Sequence, residues 1–214
     1  MVRIKWCYHS YFIVESSGLR IALDPHDGGS LGLSTCYTDA DIVLITHDHY
    51  DHNAVEVASG KDSIIVRWRE GLQSLRGVSV EGLKFYHDKA GGRLRGETIA
   101  YKILLEDLTI AHLGDIGHMP SEKDKTKLAQ VDILMIPVGG VYTIGHLEAW
   151  SLVSELKPKI VIPMHYWIPG ALTPLNPLDR FLNVIKTQRI RLETRELVIS
   201  KDRLPQKTTV AIYP

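Results

Sequence analysis

The sequence predicts an α/β protein with mixed β-sheets, and three observations support this prediction. Short apolar runs bounded by Gly, Pro and Asp recur along the chain, as is typical of buried strands. Helical patterns lie between several of these runs. Other runs follow one another across short turns such as Ser16-Ser17-Gly18, which indicates antiparallel hairpins beside the parallel strands.

The predicted strands cover residues 2–6, 11–15, 19–23, 41–46, 63–68, 82–86, 98–105, 108–113, 131–137, 159–164, 196–199 and 208–213. Residues 42–45 are continuously apolar, the pattern of a strand buried on both faces. The predicted helices cover residues 53–59, 69–75, 121–129, 146–156 and 177–186. Ser121 is the expected N-cap of the third helix, and Lys157-Pro158 ends the fourth.

Length and composition limit the class of protein. A chain of 214 residues with 44% hydrophobic residues fits one globular domain spanning residues 1–214. Because 25 basic residues balance 25 acidic ones, a broad nucleic-acid-binding surface is not expected. No apolar run approaches the roughly 20 residues that cross a bilayer, and the N-terminus lacks the apolar core of a signal peptide. We therefore expect a cytoplasmic protein that does not bind membranes. Its two cysteines, Cys7 and Cys36, show no partner pattern and are expected to be thiols.

The segment from Thr46 to His52, with the sequence THDHYDH, is the strongest functional signal. It directly follows the buried strand 41–46, at the strand end where open α/β sheets place their ligands. Three imidazoles and a carboxylate within six residues suit Zn²⁺ or a similar metal rather than Ca²⁺ or Mg²⁺. Further donors follow other predicted strands, namely His87, Asp115 and His165.

This ordered set of His-x-His-x-Asp-His, then His, then Gly-Asp, then His resembles the metallo-β-lactamase superfamily. The resemblance implies a four-layer αβ/βα sandwich of two mixed sheets with a dinuclear metal site at their ends. It also implies the ligand roles. His47, His49 and His87 would hold one metal, Asp51, His52 and His165 would hold the other, and Asp115 would bridge both. Both ions are expected to be divalent, with zinc preferred over manganese and iron.

Finer motifs are similar to the small metal-dependent hydrolase branch, which is related to the ascorbate-6-phosphate lactonase and to the phospholipase D that acts on N-acyl-phosphatidylethanolamine. These motifs are YHSYF at 8–12, LDP at 23–25, IPVGG at 136–140 and IPMHY at 162–166. His49 departs from the flavodiiron pattern, which has Glu at that position, and therefore argues against a redox di-iron role.

The implied chemistry is hydrolysis by a metal-bridging hydroxide, with Asp51 and Asp115 as catalytic residues. The expected substrate is a small anionic ester, lactone or phosphodiester. One alternative is an RNA or DNA nuclease of the same fold, which the neutral charge disfavours. A second alternative is a binding protein whose metals only stabilise the fold. The motif does not decide between these, and homo-oligomer formation also stays open.

Several further residues are candidates for contact with substrate or with the metal ligands. Asp24 is expected to orient a ligand histidine or its loop. The resemblance favours a position of His9 close to the site, and a hydrogen-bonded structural role is equally open. For His112, inside a predicted strand, a role in the core or in support of the ligands is favoured. The two arginines of the Gly-rich segment 91–96 are candidates for binding an anionic substrate. The complete set is His9, Asp24, His26, Arg93, Arg95, His112 and Tyr166.

Overall fold

The computed structural model describes residues 1–214, which form fourteen strands and three short helices. The strands are β1 Val2–Trp6, β2 Phe12–Ser16, β3 Leu19–Leu23, β4 Ala40–Ile45, β5 Ser59–Arg67, β6 Gly71–Leu75, β7 Val78–Tyr86, β8 Glu97–Leu105, β9 Leu108–His112, β10 Ile133–Pro137, β11 Ile160–Met164, β12 Gln188–Arg191, β13 Glu196–Ile199 and β14 Thr209–Ile212. The helices are α1 Glu122–Lys127, α2 His146–Leu156 and α3 Asp179–Leu182. None of the three has the length and apolar character needed to span a membrane.

The strands form two mixed sheets. The first has the order β13-β1-β2-β3-β4-β5, and the second has the order β12-β14-β11-β10-β9-β8-β7-β6. In the first sheet β3, β4 and β5 are parallel and the other pairs are antiparallel. In the second sheet the strands from β12 to β9 are parallel, and those from β9 to β6 are antiparallel.

The alternation of side chains along β4 shows how the sheets pack. Ile42 and Leu44 belong to the large apolar core shared by both sheets, whereas Val43 and Ile45 belong to a smaller cluster on the opposite face. Helix α2 contributes Ala149, Leu152 and Val153 to the large core. Single-turn 3₁₀ helices and loops, rather than long helices, cover the outer face of the six-stranded sheet. The predicted α/β sandwich of two mixed sheets is confirmed, while the single-domain assignment stays a prediction.

Three local predictions were wrong. The segment 69–75, predicted to be a helix, instead contains the edge strand β6, Gly71–Leu75. Arg76 and Gly77 both take positive φ and turn the chain into a hairpin with β7. Residues 53–59 form only the 3₁₀ turn Val55–Val57 before β5 begins. The helix expected over 177–186 is limited to α3, and the exposed strand β12 that follows it was not predicted.

Cys7 and Cys36 form a disulfide, so the expectation of two unpaired thiols was wrong. The two residues are 29 positions apart, and their Cα atoms lie 5.6 Å apart. Cys7 follows β1 directly and is fully buried, while Cys36 lies in the loop before β4. Such a pairing between distant loops depends on the tertiary fold and has no local sequence signal.

The chain directions place the carboxyl ends of β1, β4, β7, β9 and β11 at one edge of the sandwich. Strands β1 and β4 run the same way in the first sheet, and β7, β9 and β11 run the same way in the second. All the predicted metal ligands follow these strand ends.

Candidate metal centre

The loop that follows β4 is held in shape by a buried carboxylate. Asp24 is fully buried and accepts hydrogen bonds from the Thr46 backbone N–H at 2.8 Å and from the Thr46 hydroxyl at 2.7 Å. Its Oδ2 also lies 2.9 Å from His52 Nδ1. This contact turns His52 Nε2 toward the other candidate ligands. The structure therefore places Asp24 where the sequence analysis expected it to act, behind a ligand histidine.

Two groups of possible metal donors lie side by side. In each group the donor atoms all lie within 4.8 Å of one another. The first group, here called the first triad, is His47, His49 and His87. The second group contains Asp51, His52 and His165, here called the second triad, together with His9. Each triad combines residues from the loop after β4 with a histidine from the eight-stranded sheet.

Asp115 lies between the two triads. Its Oδ2 is 3.0 Å from the Nε2 atom of His165, 3.3 Å from that of His87, 3.4 Å from that of His52 and 3.9 Å from that of His47. One carboxylate oxygen is thus shared by imidazoles of both triads. The preceding Gly114 has φ +54°, and a Cβ there would lie 2.9 Å from the Thr46 side chain. Only glycine lets this strand end approach the loop so closely.

The charges of this cluster call for a cation. Asp24, Asp51 and Asp115 are buried, and their only ion-pair partners are histidines. Burial alone would lower the pKa of His52, but the nearby carboxylates Asp115, Asp51 and Asp24 raise it well above its ordinary value. Three buried carboxylates around so few cationic groups are costly unless further positive charge is bound.

Most of the surrounding histidines are suited to bind a metal as neutral imidazoles. Burial, reinforced by the neighbouring His52, lowers the pKa of His47 to about 3. Burial, reinforced by His165, lowers the pKa of His9 to about 4. Burial also lowers the pKa of His49. At neutral pH these rings keep a nitrogen lone pair for a metal ion.

The donor set also fits metal ions by geometry. His47 Nε2, His52 Nε2 and Asp115 Oδ1 are buried without a hydrogen-bond partner, although buried polar atoms rarely lack one. Two donors that each lie about 2.0–2.1 Å from one tetrahedral ion are roughly 3.3 Å apart. The separations of 3.0, 3.3 and 3.4 Å around Asp115 Oδ2 match this spacing. Nitrogen and carboxylate donors in these numbers suit zinc, manganese or iron.

Among the other candidates, His9 lies beside the cluster, with its Nε2 3.1 Å from Asp51 Oδ2. Three of the expectations need correction. His26 does not rim the site but is fully buried, with Nε2 against the Cys7 and Tyr8 carbonyls. His112 is a core residue, and its ring nitrogens are used by the Ser10 carbonyl and the Gly114 N–H.

The remaining two corrections concern residues that face away from the metal centre. Arg93 is exposed, and its Nε donates to the Ala90 carbonyl within its own loop. Tyr166 is buried and lines a separate aromatic groove beside Trp6 and Tyr213. By contrast, Arg95 does reach the centre.

A cavity of about 340 Å³ opens onto both triads. Its lining residues are His49, Tyr50, Asp51, His87, Arg95, Asp115, Tyr142, His165, Leu172, Thr173 and Pro174. A second cavity of about 280 Å³ adjoins it, lined by His47, Asp48, His49, Trp68, Arg95, Gly96, Glu97 and Ile99. Arg95 and His49 line both cavities. The candidate centre is therefore accessible to a small molecule.

Sequence reasoning missed three residues that shape this site. Tyr142 and Trp68 line the cavities, and neither residue belongs to a motif of the sequence analysis. Asp88 organises the loop that bears Arg95. An Asp directly after a candidate ligand and before a Gly-rich segment was the available signal for Asp88, since aspartate caps turns by accepting backbone N–H bonds.

Comparison with known proteins agrees with this geometry. Residues 3–165 match the family model described as Beta-lactamase superfamily domain. A UPF0173 metal-dependent hydrolase from Pyrococcus horikoshii is 31% identical over 81% of this chain and 89% of its own length. Another from Pyrobaculum neutrophilum is 30% identical over 77% of this chain and 84% of its own length.

Solved structures show the same likeness. The crystal structure of a proposed Zn-dependent hydrolase of the metallo-β-lactamase superfamily from Thermotoga maritima has a TM-score of 0.82 and 28% identity, covering 100% of both chains. A proposed metal-dependent hydrolase from Parabacteroides distasonis, at 20% identity and a TM-score of 0.71 over 86% of this chain and 88% of its own, shares the fold. This chain belongs to the metallo-β-lactamase superfamily and is a metal-dependent hydrolase.

Proposed function

We propose that the chain is a dinuclear hydrolase that acts on a small anionic ester, lactone or phosphodiester. The observation that carries this proposal is the position of Asp115, whose carboxylate lies between two complete triads of donors. Two triads that share one carboxylate suit a pair of cations held close together. Zinc is the proposed native metal, because imidazole donors outnumber carboxylates.

In this proposal the first triad, His47, His49 and His87, would hold one ion. The second triad, Asp51, His52 and His165, would hold the other, and Asp115 would be a ligand to both. When bound, such a pair of ions would polarise the scissile carbonyl or phosphoryl oxygen and lower the pKa of a shared water, so that hydroxide is available near neutral pH.

The residues around the ions each have a distinct task. Asp51 lines the cavity, and its Oδ2 is engaged by His9, so its other oxygen is available to orient the attacking water. Asp24 fixes the ring of His52 through Nδ1. These buried contacts hold the donors in place before substrate arrives, which lowers the cost of reaching the transition state.

The cavity supports the choice of substrate class. A volume of about 340 Å³ suits a small molecule rather than a polymer. Arg95 is the only lysine or arginine among its lining residues, which favours a substrate that carries an anionic group for it to bind. A nuclease would need a cationic path to the site, but Lys89 is paired with Glu148 and Arg93 is bonded within its loop. An accessible cavity also disfavours a purely structural metal site, because structural sites are closed.

The remaining parts of the proposal are a cytoplasmic location, a small-molecule partner and the absence of a membrane or nucleic-acid partner. Assembly into homo-oligomers belongs to the same group of untested proposals.

The test combines metal content with hydrolysis. Purified protein is assayed for bound metals and for turnover of bis-p-nitrophenyl phosphate, a p-nitrophenyl ester, a simple lactone and a short RNA. We expect about two metals per chain and turnover of at least one small substrate. Asp115→Ala should lose metal and turnover, whereas Asp107→Ala, in an exposed turn, should keep both.

Each other outcome has a definite meaning. If the purified protein is metal-free and takes up no metal on reconstitution, the dinuclear proposal is refuted. Two metals with no turnover on any substrate would favour the structural role. Turnover of RNA alone would favour the nuclease.

A further inference from the structure

The segment from Asp88 to Gly96 is folded around one carboxylate. Asp88 is buried, and its Oδ1 accepts from the N–H of Ala90 at 2.7 Å and of Gly92 at 3.0 Å. Its Oδ2 accepts from the N–H of Leu94 at 3.0 Å and of Arg95 at 2.8 Å. Four backbone amides of a nine-residue segment therefore point at the same side chain, and one of them belongs to Arg95.

The two ends of this segment, here called the Asp88 loop, are also joined. The His87 N–H donates to the Gly96 carbonyl at 3.0 Å, and the Gly96 N–H donates to the Gly92 carbonyl at 2.9 Å. Gly92 has φ +81°, and a Cβ there would lie 2.9 Å from the Tyr86 ring. The many internal bonds give this loop a fixed conformation, although most of its residues are exposed.

The Asp88 loop holds the Arg95 side chain over the Tyr142 ring. The guanidinium carbon lies 4.2 Å from the ring centroid. Tyr142 belongs to the loop before α2, and this loop is tied to the Asp88 loop because Lys89 pairs with Glu148 of α2 at 2.6 Å. Contacts of both the Asp88 loop and the segment that leads into α2 therefore hold Arg95 and Tyr142 together.

Arg95 has no anionic partner in the protein. No carboxylate lies within ion-pair distance of its guanidinium, and its side chain makes no hydrogen bond. It lines the cavity that opens onto both triads as well as the adjoining cavity that contains Trp68. An unpaired cation stacked on an aromatic ring beside a reaction centre is free to bind an anion from solution.

We propose that the Asp88 loop recognises the substrate: Arg95 binds a carboxylate or phosphate group of the substrate next to the scissile bond, and Asp88 positions Arg95. This inference rests on the proposed function and deepens it by naming the substrate class and the residue that selects it. The substrate is an ester, lactone or phosphodiester that carries an additional terminal anionic group.

The chemistry of the guanidinium supports this role. A planar guanidinium presents two parallel N–H groups that match a carboxylate or phosphate oxygen pair. Stacking on Tyr142 leaves the hydrogen-bonding edge free while it fixes the plane. Lysine offers a point charge without this fixed geometry, so the two residues should not be equivalent here.

Asp88 acts through Arg95 and is a positioning residue. Its bond to the Arg95 N–H fixes the backbone from which the guanidinium extends. Asparagine at this position keeps the size but replaces one acceptor oxygen by a donor, so two of the four amides lose their partner. The loop should then move more freely, and Arg95 should spend less time on Tyr142.

The first experiment compares two esters that differ only in terminal charge, 4-nitrophenyl hydrogen glutarate and 4-nitrophenyl valerate. The metal-loaded enzyme should prefer the glutarate ester. Arg95→Gln should reduce this preference in kcat/KM by at least tenfold, mainly through KM, because the contact is equal in ground state and transition state. Arg95→Lys should restore part of it. Arg93→Gln is the matched control in the same loop and should keep the wild-type preference.

The second experiment does not depend on hydrolysis. Glutarate and phenyl phosphate are titrated separately into metal-free protein, and the Arg95 Nε–H signal is followed by NMR. At least one of them should shift this signal saturably, and Asp88→Asn should weaken the binding. Arg95→Gln removes the signal and therefore serves to assign it. Asp88→Asn should also increase hydrogen exchange at residues 90–95 without changing metal content.

The outcomes separate this inference from the proposed function. Hydrolysis of both esters with no charge preference, or a preference that survives Arg95→Gln, would overturn the recognition role and leave the hydrolase intact. Saturable binding at Arg95 without turnover of either ester would support recognition and count against ester hydrolysis as the reaction. If neither glutarate nor phenyl phosphate shifts the Arg95 signal, the inference is overturned. If Asp88→Asn changes neither hydrogen exchange at residues 90–95 nor the preference for the charged ester, Asp88 does not position Arg95.

Discussion

Reduction of the Cys7–Cys36 disulfide should lower the stability of the native protein by a predictable amount. The bond closes a loop across 29 positions of the chain. Cross-linking a loop of this length removes about 12 cal/mol/K of entropy from the unfolded chain, or about 3.6 kcal/mol at 25 °C. For a protein of this size that corresponds to a decrease in Tm of roughly 7–14 °C.

The measurement is urea unfolding of the oxidised protein and of the protein in dithiothreitol. Chelator is present in both arms, so that metal binding does not contribute to the difference. The double variant Cys7→Ala/Cys36→Ala is the control and should not respond to dithiothreitol. Because Cys7 is fully buried, thiol titration is done in denaturant without reductant and should find no free thiol.

Two results would refute this reasoning. A stability difference below about 1 kcal/mol would mean that the unfolded chain is not constrained as the loop-closure argument requires. Two free thiols in the denatured, unreduced protein would mean that the bond does not form.

Three further predictions concern the centre and its support. Asp24→Asn should weaken metal affinity about 10- to 100-fold, as measured by competition with a chromogenic chelator, since it disturbs the bond that orients His52; unchanged affinity would show that Asp24 does not orient this ligand. Zinc at 100 times its Kd should raise the free energy of unfolding by about 2.7 kcal/mol over chelator-treated protein, and a zinc-independent Tm would contradict the candidate centre. Gly114→Ala should lower the free energy of unfolding in urea by about 1–3 kcal/mol, because it adds a Cβ 2.9 Å from Thr46 at positive φ. The control Gly18→Ala, also at positive φ but with open space around it, should lower it less. Equal losses of stability would leave backbone strain as the only cause.

The candidate ligands were predictable from sequence because each follows an apolar run. A strand buried on both faces has a continuous apolar signature, as in Ile42 to Ile45, and its carboxyl end fixes where the next polar residues lie. Order along the chain then identified His87, Asp115 and His165 as partners of the first motif. The structure brings them together, and their roles as ligands stay predictions.

Other features depend on contacts that no local pattern encodes. His26 and the surface candidates look alike in sequence, and only the fold buries His26 beneath the Cys7 and Tyr8 carbonyls. The β6 segment was assigned to a helix because its polar residues mask the alternation of an edge strand, although Arg76-Gly77 was a usable turn signal. Asp88 and Tyr142 matter through their geometry relative to Arg95, which requires the tertiary structure.

Both triads draw their candidate ligands from both sheets. His47 and His49 leave the six-stranded sheet, while His87 leaves the eight-stranded one, and the second triad is divided in the same way between Asp51, His52 and His165. Neither half of the sandwich can therefore assemble a metal site alone. Bound ions would cross-link the two sheets. Separation of the sheets and release of metal would then be a single cooperative event.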